Sequence, residues 1–392
     1  MNGFNICLSS DITFGIGSAS KAGEIVSGLG KKALIVTCPW PDVQESMFLR
    51  IIKILHQSRV ETVLFDRAVP NPTTESIDEA TNIARREGVD VLLAIGGGSA
   101  IDTAKAISVG IANTGPIWDY SYGVSSPKAI DVNKMLPIVV ITTTSGTGSH
   151  VTPYSVISNE KLRIKSGVVA NRGMYPRAAI VDPELMLSMP EYITATTGFD
   201  VFAHAFESYI SPKAYPLNEL LAMESMRIST KNLVKACRCG ADIDFRVQMA
   251  YADTLSGLCI SLIDTSIPHV VGAAIIGKCP GLAHGQALAL CYPAFIDYMQ
   301  ALSVKKLATV ARLFDASLAY VDDSVAASKL KGIVSEWLKE LRIYSSGKAL
   351  GLPESVIDDS VDEIRTCPEP LILATNPSSE QVRDMLVQIW NQ

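Results

Sequence analysis

The chain predicts an α/β half built on a parallel sheet, followed by an all-helical half. Three observations carry that expectation. Short β-branched runs alternate with segments whose apolar residues recur at helical spacing. Two polar, glycine-containing stretches directly follow such runs. Beyond "AAIVDPEL" (178–185) the strand signals fade, and from about Pro190 the pattern is helical with breaks at Gly and Pro. We therefore expect two domains, residues 1–186 and 187–392.

In chain order, "ALIVT" (33–37), "ETVLF" (61–65), "DVLLAIGGG" (90–98) and "LPIVVITTT" (136–144) read as strands buried on both faces. Between them, "TTESIDEATNIARREG" (73–88) reads as an amphipathic helix. Strands alternating with helices imply parallel pairing in a doubly wound sheet. No internal repeat or low-complexity tract interrupts the 392 residues.

Composition narrows the function. With 48% hydrophobic and 19% charged residues, the chain has the makeup of a well-packed globular protein. A net charge of -6 argues against nucleic acid, whose phosphates need clustered Lys and Arg. The opening "MNGFNICLSS" lacks a basic stretch followed by an apolar one, and no apolar run nears the ~20 residues that cross a bilayer. The expected location is the cytoplasm, with neither membrane nor nucleic acid as partner. The eight cysteines are expected to be reduced and mostly buried, and the "CRC" at 237–239 has the wrong spacing for a zinc or redox pair.

"AIGGGSAIDTAKA" (94–106) is the strongest local feature of the first half. A buried strand runs into three glycines, Ser99 and a new helix, where main-chain N–H groups and the helix dipole suit a pyrophosphate. It is neither a GxGxxG fingerprint nor a Walker loop. "TTTSGTGSH" (142–150) follows another strand, and loops at the C-terminal ends of parallel strands are where open sheets bind ligands. "GIGSAS" (15–20) is read as a turn without a ligand.

In the second half, "TTGFDVFAHAFESYI" (196–210) is a helix whose apolar face carries Asp200 and His204, one turn apart. They are either a self-satisfied core pair or half of a metal site. His269 in "TSIPHVVGAA" and His284 in "GLAHGQALAL" complete one carboxylate and three imidazoles, a shell fit for a divalent transition metal. Gly285 would allow a close approach beside His284.

These stretches, with "VPNPT" (69–73), resemble the iron-containing, or group III metal-dependent, alcohol dehydrogenases over nearly the whole chain. The resemblance implies the dehydroquinate synthase-like architecture: a dinucleotide-binding α/β domain, a helical domain, and an active site in the cleft between them. It implies hydride transfer between nicotinamide C4 and a small alcohol or aldehyde. The implied metal ligands are Asp200, His204, His269 and His284, holding Fe²⁺ or Zn²⁺. The implied NAD(P) contacts are Gly97, Gly98, Ser99, Asp102, Thr142, Thr143, Thr147 and Lys165, with Asn71 near the substrate. Cys38 stands where NAD-preferring relatives carry an acid, so NADP is expected to be tolerated or preferred. A homodimer is the expected assembly.

The chain departs from the family in places. The last two histidines are fifteen positions apart where many members have fourteen, and an alternative alignment puts Thr265 at the ligand position. Ala273 replaces a second histidine near the nicotinamide, and His150 replaces a glutamate; we read His150 as a supporting or domain-edge group. Competing readings are a glycerol-dehydrogenase-like polyol oxidoreductase, a dehydroquinate-synthase-like lyase, and a non-catalytic metal or nucleotide binder.

Overall fold

The computed structural model describes residues 4, 6–40, 42–366 and 377–392. Cys367 and Met1–Gly3 of the opening stretch lie outside them. The chain forms two compact units.

The first unit comprises Ile6–Met189 and Gly240–Ala250. Its strands are β1 (Asp11–Phe14), β2 (Lys32–Val36), β3 (Glu61–Phe65), β4 (Val91–Gly96), β5 (Ile138–Thr142), β6 (Tyr154–Asn159), β7 (Ile164–Val169) and β8 (Ala178–Val181). Six make an all-parallel sheet in the order β1-β8-β5-β4-β2-β3, while β6 and β7 form a separate antiparallel hairpin. The pleat sorts successive side chains to opposite faces. Leu34, Val36, Leu92, Ala94, Ile138 and Val140 point into one core. Ala33, Ile35, Val91, Leu93, Val139 and Ile141 point into the other. Helices α1 (Ala22–Ser27) and α2 (Asp42–Gln57) cover the second core through Ala22, Val26, Phe48, Ile51 and Leu55. Helices α3 (Thr74–Glu87) and α4 (Gly98–Ala112) cover the first through Ile77, Ala80, Ile101 and Ile107.

Local chemistry explains the element ends. In α3, the Thr73 side chain accepts from the Ser76 N–H, and Gly88 closes the helix at φ 65°. The turn at 15–20 is filled from within: Asp182 accepts from the N–H groups of Gly17 and Ala19 at 3.1 and 3.0 Å. Those donors are therefore unavailable to a phosphate.

Three sequence expectations are corrected. The "ETVLF" strand is the sheet's edge, not buried on both faces: Leu64 is 43% exposed because no strand follows β3 in the order. Of the seven described cysteines, only Cys259 and Cys291 are buried, and Cys239 is exposed. Gly240–Ala250, placed by sequence in the helical half, packs with the sheet unit. The buried Arg246 guanidinium donates to the carbonyls of Gly240 and Met189, and Ala250 joins Val181, Met186 and Met189 in an apolar cluster.

The second unit comprises Phe4, Pro190–Cys239 and Tyr251–Gln392. From Pro190 onward the long elements are α5 (Glu191–Ile210), α6 (Pro216–Arg238), α7 (Ile243–Ile263), α8 (Ile267–Lys278), α9 (His284–Met299), α10 (Val304–Phe314), α11 (Asp323–Glu340), α12 (Val356–Thr366) and α13 (Ser379–Asn391). Helix α5 is central and buried along most of its length. One stripe, Phe199, Phe202 and Phe206, stacks into an aromatic cluster with Tyr292, Phe295 and Trp337. The neighbouring stripe carries Asp200 and His204. Among the described residues no single helix is long and apolar enough to cross a membrane.

Candidate active site

In the first unit, β4 ends at Gly96 and α4 opens at Gly98 with Gly97 as its N-cap and no side-chain cap. The loop after β5 packs directly onto these glycines. A Cβ on Gly97 would stand 2.8 Å from Thr144 Oγ1, and one on Gly98 would stand 2.5 Å from Thr147 Cγ2. The Thr143 N–H donates to the Gly96 carbonyl at 3.0 Å, so the two polar loops form one piece. Thr142 donates its hydroxyl to the Thr144 carbonyl, which holds that loop's turn.

Asp102 is tied up inside the protein. Its Oδ1 accepts from the Ser149 hydroxyl at 2.6 Å and its Oδ2 from the Val156 N–H at 2.9 Å, joining α4 to the hairpin. Lys105, one turn on, is fully buried and donates to Ser149 Oγ, Thr152 Oγ1 and the Tyr154 carbonyl. Burial pushes its ammonium down to about 8, with the Asp102 carboxylate partly opposing. Burial, reinforced by the Lys105 charge, lowers His150 to about 3. This histidine is only 1% exposed and sits in the interior of the unit.

Lys165 and Asn71 meet: Nζ donates to Oδ1 at 2.8 Å. Asn71 holds a left-handed φ of 55°, which places its amide beside β7. The following Pro72 carbonyl accepts from the Ser158 N–H at 2.7 Å and fastens this loop to the hairpin. Cys38 follows β2 as a half-buried thiol packed on the first core, and burial raises it to about 11. It carries no charge at neutral pH.

In the second unit, four predicted residues converge. Asp200 Oδ1 lies 3.4 Å from His204 Nε2, 3.4 Å from His269 Nε2 and 3.8 Å from His284 Nε2. Asp200, His269 and His284 offer ligand atoms all within 4.8 Å of one another. The His204 and His269 rings stack with centroids 4.7 Å apart, and His284 meets His269 edge-on at 5.2 Å. Asp200 Oδ1 and His269 Nε2 are buried and lack any hydrogen-bond partner. Burial pulls the Asp200 pKa up, but His204, His284 and His269 outweigh it and hold the carboxyl well below its usual range. Burial likewise pulls the His269 imidazolium down, yet Glu207 and Asp200 overcome it and raise it to about 10. Two orphaned buried atoms, one anionic, facing two further imidazoles fit a divalent cation with nitrogen and oxygen ligands. Of the two alignments, the side chain that reaches Asp200 is His269, at the first turn of α8.

Gly285 explains the placement of His284. A Cβ there would stand 1.9 Å from the Thr196 carbonyl oxygen, so only glycine lets α9 start this close to α5. The sequence reading missed Glu207, which lies on the same face of α5 and hydrogen bonds His269 Nδ1 at 2.8 Å. Its signal was available: Asp200, His204 and Glu207 recur at helical spacing.

A parallel sheet with a glycine-opened helix, and a helical unit with a carboxylate facing three imidazoles, belong to a class of metal-dependent, nicotinamide-linked dehydrogenases. Comparison with known proteins agrees. The iron-containing alcohol dehydrogenase profile matches residues 9–183, and the profile of that family's C-terminal part matches 194–391. The NAD-dependent methanol dehydrogenase of Bacillus methanolicus is 29% identical over 95% of this chain and 97% of its own. The sulfoacetaldehyde reductase of Bilophila wadsworthia is 35% identical over 76% of each. Among solved structures, an archaeal alcohol dehydrogenase from a Red Sea brine pool superposes with a TM-score of 0.94 at 32% identity, covering 99% of both chains. This chain belongs to the iron-containing alcohol dehydrogenase family. It is an oxidoreductase that acts on alcohols or aldehydes with a metal and NAD.

Proposed function

We propose that the protein interconverts small aliphatic aldehydes and alcohols, with Asp200, His204, His269 and His284 holding one divalent cation, iron or zinc. The observation that carries this reading is the convergence of the three histidine Nε2 atoms on Asp200 Oδ1. When bound, such a cation supplies Lewis-acid polarisation of the substrate oxygen, and the nicotinamide supplies the hydride. The protein's own part is positional. Gly97, Gly98 and Ser99 bring backbone donors at the start of α4 to the pyrophosphate. Thr142, Thr143 and Thr147 form the facing wall, and Thr143 and Thr147 lie against the glycines. Lys165, held by Asn71, would supply an ammonium to the nicotinamide ribose. Asp102 serves this site indirectly, by fastening α4 to the hairpin.

An acid after β2 would accept from the ribose 2′-hydroxyl and repel a 2′-phosphate. The uncharged Cys38 does neither, which supports tolerance of NADP alongside NAD. We place the protein in the cytoplasm, in keeping with eight cysteines scattered along the chain rather than set at the spacings of a disulfide framework. We also infer a homodimer; β1 ends the sheet order among the described residues, and an edge strand is a place for a second copy to pair.

The test is a reductase screen of metal-loaded protein with NADH and NADPH across neutral and anionic aldehydes. The anionic arm follows from the 35% identity to a sulfoacetaldehyde reductase. Metal-dependent turnover of at least one short aldehyde is expected. Retention of metal and nucleotide without turnover of any would favour the non-catalytic reading.

A further inference from the structure

Glu207 is fully buried, although burying an isolated carboxylate is costly. Each of its oxygens has a task. Oε1 lies 2.8 Å from His269 Nδ1 and accepts from the Tyr292 hydroxyl at 3.2 Å. Oε2 accepts from the Ser266 N–H at 2.7 Å, and Ser266 is the N-cap of α8. One carboxylate therefore grips the first turn of α8 and the ring that α8 carries.

We propose that Glu207 is the positioning residue of the cation site: it holds the proton of His269 on Nδ1 and turns Nε2, lone pair outward, toward Asp200. The inference rests on the assignment of the cation to Asp200, His204, His269 and His284, and names what makes His269 fit for that role. An imidazole is symmetric enough to rotate or to carry its proton on either nitrogen. A carboxylate behind Nδ1 removes both freedoms and makes Nε2 a stronger donor. Geometry separates the two acids on α5. Asp200 Oδ1 faces three Nε2 atoms with no hydrogen-bond partner, whereas both Glu207 oxygens are engaged by donors of α8 and α9. Asp200 is shaped to receive a cation, and Glu207 to receive protons.

The experiment measures metal affinity of the whole chain, stripped and reloaded with Co²⁺ or Zn²⁺ against a competing chelator, together with the visible absorption of the Co²⁺ form. Glu207→Ala should weaken binding by about 10- to 100-fold, the range typical of lost outer partners of histidine ligands. Glu207→Gln keeps the shape and one acceptor, so about tenfold is expected, with a changed Co²⁺ spectrum. Tyr292→Phe, which leaves the His269 contact in place, should stay within about threefold. If Glu207→Ala does not fold, Glu207→Gln decides. A Glu207→Gln protein of lower thermal stability but wild-type affinity and spectrum would reduce Glu207 to a core group and overturn the proposal. Asp200→Asn is the control. If it too binds Co²⁺ like wild type, the four-residue cation site itself is wrong.

Discussion

Asp200 Oδ1 and His269 Nε2 face each other at 3.4 Å, both buried and neither with a hydrogen-bond partner. With the other imidazole nitrogen turned to Glu207, Nε2 is the ring atom left to face the carboxylate. Without metal the raised imidazolium supplies the positive charge there, and a bound divalent cation would take the proton's place. Removing either partner should therefore abolish high-affinity metal binding. We expect His269→Ala to lose at least about a hundredfold in metal affinity, beyond the 10–100-fold typical of outer-shell changes. Thr265→Ala should bind as wild type does. Metal content after dialysis, read by elemental analysis on the two variants, checks this; the reverse pattern would favour the other alignment.

The start of α9 has no room for a side chain at Gly285. With a Cβ forced to 1.9 Å from the Thr196 carbonyl, Gly285→Ala must move backbone against backbone. About 3 kcal/mol of stability should be lost, and the metal bound more weakly because His284 is the adjacent residue. Urea unfolding of the metal-free and metal-loaded forms separates the two effects. A variant as stable as wild type would refute the steric account.

Cofactor choice should respond to one position. Cys38→Asp restores a charge after β2, and the ratio of NADH to NADPH kcat/KM should rise at least about tenfold, a change of about 1.4 kcal/mol. An unchanged ratio would mean that the thiol does not face the 2′ position.

Lys105 gives the pH dependence. Its pKa falls from 10.5 in the unfolded chain to about 8 in the fold. Between these values the unfolded state binds more protons, so stability rises as pH increases from about 8 to 10.5. At about 1.4 kcal/mol per unit the gain is at most about 3.5 kcal/mol. Relative to wild type, Lys105→Met should flatten this alkaline rise. Parallel pH profiles of the two proteins in urea would contradict it.

The sheet's interior was legible because buried parallel strands are continuous β-branched runs, and β2, β4 and β5 fall where those runs lie. Strand β1 was not, because "DITF" is four residues with exposed ends and no apolar run. The β6–β7 hairpin was hidden for a related reason: "YSVISN" and "IKSGVV" mix polar and apolar positions, and their order comes from Asp102, more than fifty residues away. In the site, Asp200, His204, His269 and His284 stood out by side-chain type, and the glycines by their place after a strand. Glu207 shares their helical spacing, but its role shows only in its bonds to α8 and α9. Asp102 illustrates the converse. Its place in the glycine motif was legible, whereas its bonds to Ser149 and Val156, which fasten α4 to the hairpin, show only in the fold.

X-ray absorption at the metal edge of the Co²⁺- or Zn²⁺-loaded protein tests the central assignment most directly. Three imidazoles and one carboxylate oxygen predict a first shell of nitrogen and oxygen at about 2.0–2.2 Å with the outer scattering of three rings. A shell containing sulfur, or fewer than three imidazoles, would contradict it.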